Sequence, residues 1–210
     1  MRPTIMGIYL AAGESRRMGR PKLTIPLGSD GMLGGLALQE AVRSGLDRIV
    51  VVSRYEGCPE WFPFPDESDV RDRCVFAAAP EASRGMAYSL HAGLSAAIGL
   101  SEGDDDKASA VVVLLADQPM IHAELINRLI MEFTMDPKLD YVAAGDSGTA
   151  KPPVLLAASM FDAVMSLKGD EGARRLLLSP DYQGMLIAAE SGLFLDMDTP
   201  ADVENIWRIR

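Results

Sequence analysis

Residues Ala110–Met120 read A-V-V-V-L-L-A-D-Q-P-M. From Ala110 to Ala116 the run is apolar throughout and shows no alternation. A strand with one wet face alternates apolar and polar side chains; a continuous run belongs to a strand covered on both faces, as parallel strands of α/β proteins are. The run therefore predicts a central parallel strand between two layers of helices. Pro119 has no amide hydrogen to give and ends the strand. Asp117 then stands at the carboxyl end, the edge at which open α/β sheets bind their ligands.

Outward from this strand, short β-rich runs alternate with helical patterns. Thr4–Ala11 reads as the first strand, Ile49–Ser53 (IVVVS) as the second and Cys74–Ala78 as the third. Tyr141–Ala144, Val154–Ala157, Met185–Ala188 and Leu193–Asp196 are weaker strand candidates. Helices are predicted at Leu33–Arg43, stopped by Ser44-Gly45, and at Gly85–Ile98, with Leu90, Leu94 and Ile98 at helical spacing. Ala123–Phe133 repeats Leu125, Leu129 and Phe133, and shorter helices are expected at Asp170–Leu178 and Ala201–Trp207. The alternation argues for an α/β fold with a mostly parallel sheet. Cys58–Asp72, rich in proline and acids, reads as a surface loop, and Ser101–Lys107 as a solvated turn.

The 210 residues suit one large domain or a domain with a small appendage, and 48% hydrophobic residues supply a substantial core. A formal charge of −10 argues against nucleic acid or an anionic membrane as partner, unless the positive charge is gathered in one place. Cys58, Cys74, His91 and His122 lack metal-ligand spacing and suggest two unpaired thiols in a reducing cytosol. No run reaches the roughly 20 apolar residues that span a bilayer. Met1–Gly13 reads as a buried strand rather than a signal peptide, so the expected location is the cytoplasm.

Positive charge is in fact gathered. Leu10–Lys22 reads L-A-A-G-E-S-R-R-M-G-R-P-K and follows the first strand directly. Arg16, Arg17, Arg20 and Lys22 fall within seven residues, and no acid interrupts from Ser15 to Ser29. A polyphosphate is the natural partner. Gly13 and Gly19 let the backbone approach an anion; arginine contacts phosphate oxygens in pairs, and lysine acts as a point charge. Neither the P-loop nor the G-x-G-x-x-G fingerprint is present. Asp117 would supply a carboxylate to Mg²⁺, which prefers one or two carboxylates plus substrate phosphates. Near the C-terminus, Thr199, Pro200 and Asp202 form a helix start. Asp196 and Asp198, just before it, would point to one side of a strand end; either is a candidate second metal ligand.

Together, L-A-A-G-x-S-x-R-M-G-x-x-K, Asp-Gln-Pro after the central strand, and Asp-x-Asp-Thr-Pro-x-Asp resemble the MobA-like nucleotidyltransferases. Within them the chain looks most like the branch that joins CMP to molybdopterin. Pro80–Leu94 (PEASRGMAYSLHAGL) and Gly169–Leu177 (GDEGARRLL) are also similar to family segments. The resemblance implies a three-layer Rossmann-like nucleotide-diphospho-sugar transferase (GT-A type) fold over 1–210 as a single domain. Its N-terminal part would bind the NTP; its C-terminal part would contribute the acceptor site and second metal ligand. It implies Arg17 and Lys22 on the triphosphate, Leu10, Ala11, Ala12 and Gly13 lining the nucleotide, and Gly85 and Ser89 near the base. Asp117 would hold Mg²⁺ with Asp198, Asp196 being the fallback. CTP and molybdopterin are the implied substrates and a xanthine dehydrogenase-type enzyme the implied client.

The guanylyl branch typically carries Gly-Gly where this chain has Ala11-Ala12 ahead of Gly13. Lys151-Pro152-Pro153-Val154 departs from a frequent Gly-His-Pro-Val on the acceptor side. Rival readings are a guanylyltransferase, a sugar- or alditol-phosphate nucleotidyltransferase, a glycosyltransferase of related fold, and a non-catalytic cofactor chaperone. A glycosyltransferase usually has an acidic pair at the central strand, where this chain has Asp117-Gln118-Pro119.

Overall fold

The apolar run from Ala110 does become a strand buried on both faces. In the computed structural model, which describes residues 2–15, 18–27, 31–64, 66–100, 107–199 and 201–204, this strand is β4, Ala108–Leu115. The chain order is β1 (Thr4–Leu10), α1 (Leu33–Arg43), β2 (Ile49–Ser53), α2 (Ser68–Arg73), β3 (Cys74–Ala78) and α3 (Met86–Gly99), then β4. After it come α4 (Ala123–Met135), β5 (Tyr141–Asp146), β6 (Thr149–Ala157), α5 (Phe161–Met165), α6 (Arg174–Leu177) and β7 (Gly184–Ala188).

The strands form one seven-stranded sheet in the order β3-β2-β1-β4-β6-β5-β7. β1 pairs in parallel with β2 and β4, and β2 with β3. β6 runs antiparallel to both β4 and β5. The reversal has a local cause: Ser147 and Gly148, between β5 and β6, sit at φ 50° and 76°. Two consecutive positive φ values make the two-residue hairpin turn that matches strand twist.

Side chains alternate between two cores. Ala110, Val112 and Leu114 of β4 face the layer containing α1 and α4; Val111 and Val113 face α3, α5 and α6. Leu125, Leu129 and Phe133 of α4 are buried as their spacing predicts. Leu90 and Leu94 of α3 are buried too, but Ile98 is 47% exposed, because Ala97 takes the inward position in the last turn. Gly93 lets α3 lie on the sheet: a Cβ there would sit 2.5 Å from Ile8 Cγ2.

Several boundaries differ from the expectation. Cys58–Asp72 is not a plain surface loop. Trp61 and Phe62 are buried, Phe62 packs edge-on against Phe64 and Phe76, and α2 begins at Ser68. Burial of these rings outweighs the polar composition around them. Leu193–Asp196 is not a strand: Ser191–Phe194 is a 3₁₀ turn that buries Phe194 against the main core. The expected helix at Asp170–Leu178 is confined to Arg174–Leu177, after a turn opened by Gly169 at φ 58°. Residues 201–204 are helical; the rest of the predicted Ala201–Trp207 helix, and 101–106 of the predicted turn, lie outside the described residues.

Candidate active site

The register of β1 and β4 pairs Leu10 with Leu115. The Ala116 amide donates to the Leu10 carbonyl at 3.0 Å, and the Ala11 amide donates to the Val52 carbonyl at 2.8 Å. The loop after β1 and the Asp117 turn therefore emerge side by side at the carboxyl edge of the sheet. Asp117 does not cap the next helix. His122 does, its Nδ1 accepting from the Leu125 amide at 3.3 Å, which leaves the Asp117 carboxylate for other partners.

The loop folds back on itself. Ser15 takes a positive φ of 50°, and its Oγ accepts from the Lys22 amide at 3.1 Å. Lys22 is thereby returned to the sheet edge at the start of a 3₁₀ turn, Lys22–Thr24. Its Nζ donates to Asp117 Oδ2 at 2.6 Å and to Asp198 Oδ1 at 3.1 Å. Burial alone would lower the lysine's pKa; the charge of Asp117 and the hydrogen bonds to both carboxylates outweigh it, and the net displacement is upward.

Asp198 reaches this point because its segment is docked on the end of β4. The Met197 amide donates to the Asp117 carbonyl at 3.0 Å, and Gln118 Nε2 donates to Asp196 Oδ1 at 3.0 Å. Asp202 Oδ2 accepts from the amides of Asp198 and Thr199 at 3.1 and 2.7 Å and from the Thr199 hydroxyl at 2.8 Å. Thr199 Oγ accepts in return from the Asp202 amide, the reciprocal cap read from the sequence. Asp196 and Asp198 do not act as a pair on one side: Asp198 faces Lys22 and Asp196 faces Gln118. Burial, reinforced by the charges of Asp117 and Asp198, pushes the Asp196 carboxyl up against the opposing Gln118 bond.

These elements enclose a cleft of about 420 Å³. Leu10, Ala11, Ala12, Gly13, Lys22, Gly85, Ser89, Asp117 and Asp198 all line it. Arg17 lies outside the described residues, and Asp196 is not in the lining. Lys151 lies elsewhere, with its ammonium 5.1 Å from the Phe194 ring centroid and 3.8 Å from Asp146. Sequence reasoning did not single out Ser83, Met86 or Asp170, which also line the cleft, as does Arg84, noted in the sequence only as a departure from the family residue before Gly85. The signal for Asp170 was its place in the Gly169–Leu177 segment. The opposite wall depends on Gly85, at φ 133°, where a Cβ would fall 2.1 Å from the Gly169 carbonyl carbon. The Ala87 amide donates to the Gly169 oxygen at 3.0 Å and closes that contact.

Two carboxylates converging on the Lys22 ammonium, beside a groove lined by Leu10–Gly13, suit a divalent cation and a polyphosphate. Among the described residues no three or more His, Cys, Asp or Glu gather into a larger metal cluster. The donor set fits a hard cation that completes its shell with phosphate oxygens and water.

An open, mostly parallel sheet with an acidic pair and a lysine at its carboxyl edge defines an α/β protein built to handle phosphorylated nucleotides. The MobA-like NTP transferase domain family matches residues 7–184, and the chain belongs to that family. It is 34% identical over 210 residues to the purine catabolism protein PucB of Bacillus subtilis (strain 168), covering 98% of this chain and 97% of the relative. It is 24% identical over 212 residues to a probable molybdenum cofactor guanylyltransferase of Mycobacterium avium (strain 104), covering 98% and 96%. In structure it is similar to Rv0371c from Mycobacterium tuberculosis H37Rv, with a TM-score of 0.75, 23% identity and coverage of 99% and 100%. The manganese complex of Rv0371c matches with a TM-score of 0.69, 22% identity and 98% coverage of each chain. Among the described residues no helix is long and apolar enough to cross a membrane.

Proposed function

We propose that the protein transfers CMP from CTP to molybdopterin with Mg²⁺, releasing pyrophosphate. The observation that carries this reading is the convergence of Lys22, Asp117 and Asp198 in a cleft also lined by Leu10–Gly13. In this reading Leu10–Gly13, Gly85 and Ser89 hold the nucleoside. Lys22 and Arg17 neutralise the triphosphate. Asp117 and Asp198 would hold the metal ion, which when bound supplies positive charge to the transferring phosphoryl group and the pyrophosphate. Rv0371c, which shares this fold, forms a complex with manganese, in keeping with a divalent cation in this reading.

The acceptor phosphate is already ionised at neutral pH and attacks the α-phosphorus in line, so no strong base is required. His91 is engaged elsewhere, its Nε2 lying 3.0 Å from the Val164 carbonyl, and His122 caps α4. The chain's own contribution is to orient the two reactants and offset charge. The chain acts as one domain in this reading, the N-terminal part taking the NTP and the C-terminal part supplying Asp198 and the acceptor side.

CTP is favoured over GTP by the resemblance at Ala11-Ala12, where the guanylyl branch typically carries Gly-Gly; both alanines line the cleft. Relatives named for molybdenum cofactor and for purine catabolism support the acceptor. A purine-catabolism relative also suits a xanthine dehydrogenase-type client in the cytoplasm. The Mycobacterium avium relative favours GTP as the second reading.

Pyrophosphate release from each NTP with Mg²⁺, with and without molybdopterin, tests the proposal. Release with CTP alone among the NTPs, and only with the acceptor, is the expected result. Release with GTP overturns the nucleotide, and release only with another phosphorylated acceptor overturns the substrate. CTP binding without release under any condition overturns the transferase reading in favour of a binding protein.

A further inference from the structure

Gln118 is 3% exposed, one residue beyond Asp117, and lies outside the cleft lining. Its Nε2 donates to Asp196 Oδ1 at 3.0 Å. Its Oε1 is buried and has no hydrogen-bond partner among the described residues. The carboxylate can only accept, so the amide is fixed with its nitrogen toward Asp196 and its oxygen toward the interior. An apolar side chain of similar size would fill this space without an orphaned oxygen. What the amide adds is its hold on Asp196.

That hold matters because of how Asp198 is anchored. Asp202 ties down the amides of Asp198 and Thr199, but it belongs to the same segment and would travel with it. Fixation to the β4 end comes from the Met197 amide on the Asp117 carbonyl, the buried Met197 side chain packed with Leu33 and Leu36, and Gln118 on Asp196. The ion pair from Lys22 to Asp198 is given up when the ammonium turns to a polyphosphate. The Gln118 bond persists.

We infer that Gln118 is a positioning residue for the divalent-cation site, its buried amide holding Asp196 so that Asp198 faces Asp117 across a shared cation. Asp196 is then an anchor and not a ligand. The inference rests on the metal role proposed above for Asp117 and Asp198. Groups that hydrogen-bond a metal ligand typically set affinity by 10- to 100-fold, and Gln118, acting one link further out through Asp196, belongs at the lower end of that range.

The test is Mn²⁺ binding to the full chain, followed by loss of the free-ion paramagnetic signal, with and without a non-hydrolysable CTP analogue. Gln118→Met and Asp196→Ala should each weaken Mn²⁺ binding about tenfold, and Asp196→Asn, which keeps a carbonyl acceptor for Gln118, should stay within about threefold of wild type. Binding of the analogue without metal should be unchanged in all three, a pattern that general loosening of the fold would not give. Wild-type Mn²⁺ affinity in Gln118→Met overturns the inference and leaves the metal site standing. Loss in Asp196→Asn as large as in Asp196→Ala makes Asp196 a ligand and also overturns it. Absence of Mn²⁺ binding by wild type in either condition overturns both this inference and the metal reading beneath it. Should Gln118→Met fail to fold, the two Asp196 variants decide, since that residue is exposed as a whole even though its carboxyl is partly desolvated.

Discussion

Lys22 and Asp117, 95 residues apart in the chain, meet with Nζ 2.6 Å from Oδ2, and the same ammonium reaches Asp198 at 3.1 Å. The lysine side chain is 10% exposed, the two carboxylates 24% and 34%. Lys22→Met leaves two facing carboxylates without their cation. Breaking a fully buried pair costs about 3–5 kcal/mol; water reaching these carboxylates screens the loss to about 1–2 kcal/mol, a fall in Tm of about 3–6 °C. Calorimetry should show this at pH 7, and Mn²⁺ should restore more of the Tm in the variant than it adds to wild type. Lys22 titrates above its ordinary 10.5 in the fold. On the alkaline side its pairing thus contributes fully up to that pH and is lost as the pH rises through the higher folded value, so on that side the two proteins should converge in Tm only in strong alkali. Turnover in Lys22→Met should fall about 100- to 1000-fold, the usual loss for one preorganised charge contact.

Asp117→Ala should abolish turnover and keep the fold. The Met197 amide bonds to the backbone carbonyl of Asp117 and not to its side chain, so docking of the 196–198 segment survives the substitution. Unchanged far-ultraviolet circular dichroism with turnover down at least about 1000-fold is the expected pair of results. A wild-type-like rate would remove Asp117 from the metal site.

Gly85 allows no side chain. It holds φ at 133°, and a Cβ would meet the Gly169 carbonyl carbon at 2.1 Å and its oxygen at 2.2 Å. Gly85→Ala combines backbone strain with a clash against another backbone and should cost about 3 kcal/mol, a Tm lower by about 6–12 °C. The same wall lines the cleft, so the KM for the nucleotide should rise while activity at saturating nucleotide changes less. A Tm within 1 °C of wild type would show that the 169–170 turn yields freely.

How far the sequence was legible depended on how local the determining contacts are. Ile49–Ser53 and Cys74–Ala78 were read to the residue, the first as a β-branched run and the second as a short apolar run after a polar stretch. The helices at Leu33–Arg43 and Ala123–Phe133 carried their own apolar stripes, though α4 continues to Met135. Trp61 and Phe62 were hidden by the prolines and acids around them; Trp61 is buried because Gly34 leaves room for its ring across the chain.

At the site, the Leu10–Lys22 motif and Asp117 announced themselves through charge and position. The choice between Asp196 and Asp198 did not, because alternation along a supposed strand put both on one face. The segment is no strand, and the two are separated by Gln118, 78 residues from its partner Asp196. The antiparallel β6 was invisible to a pattern of apolar runs, since strand direction is set by the positive-φ turn at Ser147-Gly148.

The two cysteines should differ sharply toward thiol reagents. Cys58 is exposed and Cys74 buried, with no disulfide between them. Burial pushes the Cys74 thiol up to about 11, against the opposing charge of Arg73. At pH 8 about one Cys74 in a thousand is thiolate, and that fraction is buried at the start of β3, beyond reagent reach. Titration with an aromatic disulfide at pH 8 should count one thiol per native chain and two after denaturation. The raised value also fixes a stability window. The unfolded thiol loses its proton near 9.0 and the folded one near 11, so Cys74's contribution is full below pH 9 and declines between those values. Cys74→Ala should remove that part of the alkaline decline while leaving a cavity, and Cys58→Ser should leave the profile unchanged. Two native-state thiols reacting at equal rates would mean that β3 opens at the sheet edge far more readily than its pairing with β2 implies.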